Sequence, residues 1–123
     1  MAIRVLVVDD SALMRKQLST LLSEAGFEVA LARNGREAVD QVIALQPDVV
    51  TLDINMPEMD GFEIAQALAR SDHTSGIPVI VLTARELTAA ERKRLSGKVN
   101  AIVIKGELNR VDFMNLIRRT SMG

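Results

Sequence analysis

The chain has no cysteine, tryptophan or tyrosine, only three phenylalanines and three prolines, and no marked excess of either charge. Each absence removes a class of chemistry. Without cysteine there is no disulfide framework, thiol nucleophile or zinc–thiolate site, which suits a reducing, cytoplasmic setting. Aromatic residues make up 2% of the sequence, so stacking on a nucleobase or a flavin is poorly supported. A formal net charge of −1 gives no reason to expect nucleic acid or a membrane surface as a partner. No apolar run approaches the length of a membrane span, and the N-terminus lacks the layout of a signal peptide. What is present is 123 residues, expected to form one domain over 1–123 with a single core that needs no disulfide or metal to hold it.

No linker, repeat or low-complexity stretch interrupts the sequence; strand-like and helix-like segments alternate. Ile3 to Val8 reads as a strand. Ser11 opens a helix whose apolar residues Met14, Leu18, Leu21, Leu22 and Ala25 keep the helical period, and Gly26 stops it. Phe27 to Leu31 alternates as an edge strand would. Asn34 and Glu37 form an N-cap pair for a helix to Leu45. A strand over Val49 to Leu52 follows, then a loop in which Pro57 and Gly61 turn the chain, then a helix through Ile64, Ala65 and Leu68. Pro78 to Leu82 is the fourth strand. Thr88 and Glu91 make a capping box for a short helix that Gly97 ends. Val99 to Ile104 is the fifth strand, and Asn109 caps a last helix carrying Phe113, Met114 and Ile117.

Strands and helices in strict alternation indicate an α/β sandwich around a five-stranded parallel sheet. The first, third and fourth strands are nearly all apolar, as strands covered on both faces must be; the second and fifth are mixed, which puts them at the edges. The flavodoxin-like order 2-1-3-4-5 fits that pattern and is taken over from doubly wound sheets of that kind. Ligands of such sheets bind outside the carboxyl ends of the strands. Here the first strand runs into Asp9-Asp10, the third into Asp53, the fourth into Thr83 and the fifth into Lys105.

Three neighbouring carboxylates repel one another, and a cation relieves them. Mg²⁺ suits the cleft, because it takes one or two carboxylates and keeps several waters. Singly, each residue has a plainer role. Asp9-Asp10 can be an acidic helix start worth a few tenths of a kcal/mol, Lys105 a solvated lysine, Thr83 a turn residue. The five together at matching strand ends are harder to explain that way. His73, within Ser71 to Gly76, reads as a solvated loop residue, and Arg92-Lys93-Arg94 as a wet helix face.

The stretches "VLVVDDS", "LDINMPEMDG" and "PVIVLTA" and the lysine of "IVIKG" resemble the receiver domains of bacterial two-component response regulators over essentially the whole chain. The resemblance implies a receiver that takes a phosphoryl group from a histidine kinase or phosphotransfer protein onto Asp53 and shifts conformation to control an output. It implies that Asp10 and Asp53 bind Mg²⁺ through their carboxylates, Asn55 through its backbone carbonyl, and Asp9 mainly through a metal-bound water. Thr83 and Lys105 would bind the phosphoryl oxygens. Such a chain catalyses only its own phosphorylation and dephosphorylation and is otherwise not an enzyme.

The front half, above all "VTLDINMPEMDG", is similar to the receivers of chemotaxis methylesterases; the back half is similar to the terminal receivers of hybrid sensor kinases. No G-x-S-x-G esterase motif or kinase segment is present, so an output domain or partner protein would lie outside this chain. The chain departs from the common pattern at Gly106, where many receivers have proline, and at Ile102, where many carry a switching Tyr or Phe. The expected change is therefore a population shift, not a ring flip, centred on the short helix after Thr88 and on the segment after Lys105. Three other readings stand beside this one. A flavin module would present two carboxylates to a phosphate at "DDSALM". An aspartate-nucleophile Mg²⁺ phosphatase would usually have a second acid where Asn55 stands. A receiver-like module could bind partners without being phosphorylated.

Overall fold

Five strands of four or five residues alternate with five helices in a computed structural model that describes residues 2–54, 61–107 and 109–122. The elements are β1 (Arg4–Val8), α1 (Ala12–Glu24), β2 (Glu28–Ala32), α2 (Gly35–Leu45), β3 (Val49–Asp53), α3 (Gly61–Arg70), β4 (Val79–Thr83), α4 (Ala89–Leu95), β5 (Ala101–Ile104) and α5 (Arg110–Met122). A 3-10 turn, Lys105–Glu107, follows β5. Asn55 and Pro57 lie outside the described residues.

The local signals act as expected. Ser11 Oγ accepts the Met14 N–H at the start of α1, and Asn34 Oδ1 accepts the Glu37 N–H at the start of α2. Thr88 and Glu91 close a capping box at α4, and Asn109 Oδ1 accepts the Asp112 N–H at α5. Past α1 and α4 the chain turns through Gly26 and Gly97, both at positive φ.

All strands pair in parallel, in the order β2-β1-β3-β4-β5. The edge positions of β2 and β5 follow from composition. β3 and β4 are buried at every residue, whereas β2 is exposed at Glu28 and Leu31 and β5 is half-buried throughout. Successive side chains point to opposite faces, so the sheet supports two cores. Leu6, Val8, Val50, Leu52, Val79 and Val81 pack under α2, α3 and α4. Val5, Val7, Val49, Ile80 and Leu82 pack under α1 and α5, with Phe113 at the centre. Each such Val, Leu or Ile contributes about 1.5–3 kcal/mol on burial.

Two expectations need correction. β5 begins at Ala101, not Val99. Asn100 is diverted into its own pair of bonds to Val79, donating its N–H to the carbonyl (2.8 Å) and accepting the Val79 N–H on Oδ1 (3.0 Å). Gly61 is more than a loop former. It is the first residue of α3, and a Cβ there would lie 2.8 Å from the Ile54 Cα and 3.1 Å from the Asp53 carbonyl oxygen. Only glycine lets the helix start against the backbone of the third strand end.

Candidate functional site

Strand register assembles the site. Val8 pairs with Leu52, so Asp9, one residue beyond β1, comes level with Asp53 at the end of β3. Asp53 pairs with Leu82 and Thr83 with Ile104, which brings Thr83 and Lys105 to the same edge. Carboxylate oxygens of Asp9, Asp10 and Asp53 all lie within 4.8 Å of one another. Asp9 and Asp53 are buried and Asp10 is exposed, so the cluster has a closed floor and one open side.

The lysine sits between the two buried acids, with Nζ 3.5 Å from Asp53 Oδ2 and 3.6 Å from Asp9 Oδ2. These are ion pairs rather than short hydrogen bonds, and among the described residues Asp9 Oδ2 has no hydrogen-bond donor. Asp9 Oδ1 accepts the Ser11 N–H at 2.9 Å. Burial pushes the Asp9 carboxyl above the usual range. The Ser11 N–H opposes that rise, the Asp53 charge adds to it, the Lys105 ammonium opposes it, and the Asp10 charge adds to it again. Lys105 thus pairs with two of the three carboxylates, and the most deeply buried of them keeps an oxygen without a donor among the described residues. A hard divalent cation with oxygen preference fits both the donor set and that orphaned atom.

Thr83 is buried at the other wall. Its hydroxyl donates to the Arg85 carbonyl at 2.7 Å, while the Arg85 N–H approaches the same oxygen at 3.3 Å. The Arg85 side chain then makes a two-pronged pair with Glu91 at 2.8 and 2.9 Å, and Glu91 also accepts the Thr88 N–H. The Arg85 guanidinium and the Thr88 N–H together hold the Glu91 carboxyl down at about 2. Ile102 lies opposite Val81, two residues in from the edge, half-buried against the core under α4. Asn55 lies outside the described residues.

The sequence reading did not single out Arg15 or Arg85. Arg15 donates from a guanidinium nitrogen to the Asp9 carbonyl oxygen at 2.7 Å. A basic residue in the first turn of a helix, where the macrodipole disfavours a cation, was the available signal for it. Arg85 carries no such signal, since its role depends on how the chain turns after Thr83. His73 is exposed, as expected. Of Arg92-Lys93-Arg94 all three are exposed, though Arg94 also covers the Phe62 ring of α3 at 4.4 Å from its centroid.

A model of the response regulator receiver domain family matches residues 5–118. The chain is 52% identical over 102 residues to a protein-glutamate methylesterase/protein-glutamine glutaminase of Geobacillus kaustophilus, covering 81% of this chain and 28% of that protein. It is 41% identical over 96 residues to the chemotaxis protein CheY of Thermotoga maritima, covering 77% of this chain and 80% of that one. The solved signal receiver domain of a signal transduction histidine kinase from Syntrophus aciditrophicus superposes with a TM-score of 0.87 at 31% identity, covering 99% of this chain and 92% of that one. The chain spans only about a quarter of the length of the methylesterase relatives, between 23% and 28%. Methylesterase and sensor-kinase receivers, the two kinds of relative suggested by the sequence, both occur among these matches. With its sheet order, its acidic cleft and a family match over nearly the whole length, the chain belongs to the response regulator receiver domains of two-component signal transduction.

Proposed function

We propose that residues 1–123 act as one phosphoryl-accepting receiver, with Asp53 as the acceptor. The observation that carries this is the pairing of Lys105 Nζ with the buried Asp53 Oδ2 in a cleft that also holds Asp9 and Asp10. A carboxylate oxygen of Asp53 attacks phosphorus and forms the new P–O bond. The bond from phosphorus to the donor breaks in the same step, and its electron pair leaves with the donor. That donor is the imidazole of a phosphohistidine on a kinase or phosphotransfer protein. A small acyl phosphate can replace it.

Asp9, Asp10, Asp53 and the Asn55 carbonyl would hold Mg²⁺, which neutralises phosphoryl oxygens when bound. The chain's own groups do the remaining work. Lys105 already faces the acceptor oxygen and can follow the transferred charge outward. Thr83 can exchange its bond to the Arg85 carbonyl for one to a phosphoryl oxygen. That exchange frees the Arg85 backbone, and the Arg85–Glu91 pair passes the change to the start of α4. With Ile102 in place of an aromatic ring, this route shifts populations of α4 and of the segment after Lys105. The controlled output lies in another domain or partner protein. Among the described residues no helix is long and apolar enough to cross a membrane.

Incubation with acetyl phosphate tests the reading. The wild-type protein should gain one phosphoryl group, seen by intact mass, only when Mg²⁺ is present. Asp53→Ala should gain none. Labelling of that variant, or none of the wild type, would count against the assignment.

A further inference from the structure

Arg15 of α1 bonds a backbone carbonyl behind the acidic cleft, at the wrong end of a helix for a cation, with its charge also felt by Glu37 of α2. α1 has no acidic residue in its first turn to balance it. Ordering a long arginine also costs rotamer freedom. The side chain is nevertheless half-buried and folded back, donating to the Asp9 carbonyl oxygen at 2.7 Å, a short charge-assisted bond. That oxygen belongs to the peptide joining Asp9 to Asp10.

Asp10 is held by its backbone on both sides: by this peptide, and by the peptide to Ser11, whose N–H donates to Asp9 Oδ1. Asp9 is fixed by its N–H, which donates to the Ala32 carbonyl (3.0 Å), and by its Oδ1, which accepts from Ser11. The Asp10 carboxylate is exposed and has no hydrogen-bond partner among the described residues, so its place in the cluster depends on the backbone behind it.

We infer that Arg15 is a positioning residue: by holding the Asp9 carbonyl it fixes the Asp9–Asp10 peptide and thereby the spacing of the two carboxylates toward the cation. This rests on the Mg²⁺-dependent reading above and adds a residue to it. A positive charge in the neighbourhood of a cation site disfavours the cation, so removing Arg15 should leave Mg²⁺ binding unchanged or tighten it if charge alone mattered. Positioning predicts the opposite.

Calorimetric titration with MgCl₂ compares wild type, Arg15→Met, which keeps an apolar stem, and Arg15→Lys, which keeps a donor and the charge. Native melting curves without metal establish that each variant is folded; Arg15→Gln takes the place of the methionine variant if that one is not. Arg15→Met should bind Mg²⁺ about tenfold more weakly than wild type, the lower end for loss of a group that orients a metal ligand, and Arg15→Lys should recover most of the difference. A methionine variant that binds as tightly as wild type, or more tightly, overturns the inference. So does a lysine variant no better than methionine. Acetyl phosphate labelling of the wild type is run in parallel. If wild type binds Mg²⁺ and is labelled while the variants match it, only the role of Arg15 falls. A wild type that binds no Mg²⁺ overturns both.

Discussion

Gly61 and Thr51 act on the third strand from opposite sides, one by lacking a side chain and the other by carrying a hydroxyl. At Gly61 a methyl group would collide with the backbone of Ile54, which cannot yield as a flexible side chain could. Gly61→Ala should therefore cost about 1–3 kcal/mol of stability in urea unfolding, the usual range for forced overpacking. It should also slow labelling of Asp53, whose carbonyl oxygen would lie only 3.1 Å from the added methyl. A variant as stable as wild type would mean that α3 can retreat freely. Thr51 is buried between β1 and β4, and its hydroxyl has no partner among the described residues. Valine has nearly the same shape without the desolvated oxygen, so Thr51→Val should stabilise the protein by about 1 kcal/mol. A loss of stability there would indicate a hydrogen bond that the hydroxyl makes in solution. At this scale the sequence was informative where charge met an apolar run. Asp9, Asp53 and Lys105 stand out because each ends a strand that has no other polar reason to stop. Gly61 did not stand out, because close approach to a distant backbone leaves no mark in the local pattern.

Helix α4 is held in an unusual way for its length. Of its seven residues only Leu95 is buried; Ala89 and Ala90, the other apolar residues, are exposed. Its N-terminus is fixed instead by the capping box and by the Arg85–Glu91 pair, and its last turn by Arg94 over Phe62. These are polar ties at the surface, and they can be traded without opening a core. The sign of their pH dependence follows from the Glu91 carboxyl. Its folded value, about 2, lies below the ordinary 4.5, so its contribution is present above 4.5 and is lost as pH falls through about 2. A carboxyl-carbon NMR titration should place the Glu91 midpoint near 2 in wild type and return it toward 4.5 in Arg85→Ala. An unmoved midpoint would remove Arg85 from the path between Thr83 and α4. The capping box was legible from Thr88 and Glu91 three residues apart. The Arg85–Glu91 link was not, because a six-residue separation across a turn has no fixed geometry until the fold supplies it. The start of β5 was misjudged for a similar reason, since Asn100 is drawn off by the neighbouring strand.

Over the whole molecule, the parallel sheet turns positions scattered from Asp9 to Lys105 into one edge. All strands point the same way, so every strand end delivers its polar residue to the same side, and the edge strands stay half-open. This much was readable from apolar runs and their terminating charges. What the sequence could not supply was the distances: that Lys105 stands between Asp9 and Asp53, and that Asp9 keeps an oxygen without a donor among the described residues. On the proposed reading, negative charge is held at this edge for a cation and then for a phosphoryl group, and the acceptor is the point on which that proposal turns. Borohydride reduction after treatment with acetyl phosphate and Mg²⁺ converts an aspartyl phosphate to homoserine, which peptide mapping locates. The account predicts homoserine at position 53 and nowhere else. Homoserine at Asp9 or Asp10, or none in protein shown to bind Mg²⁺, would contradict it.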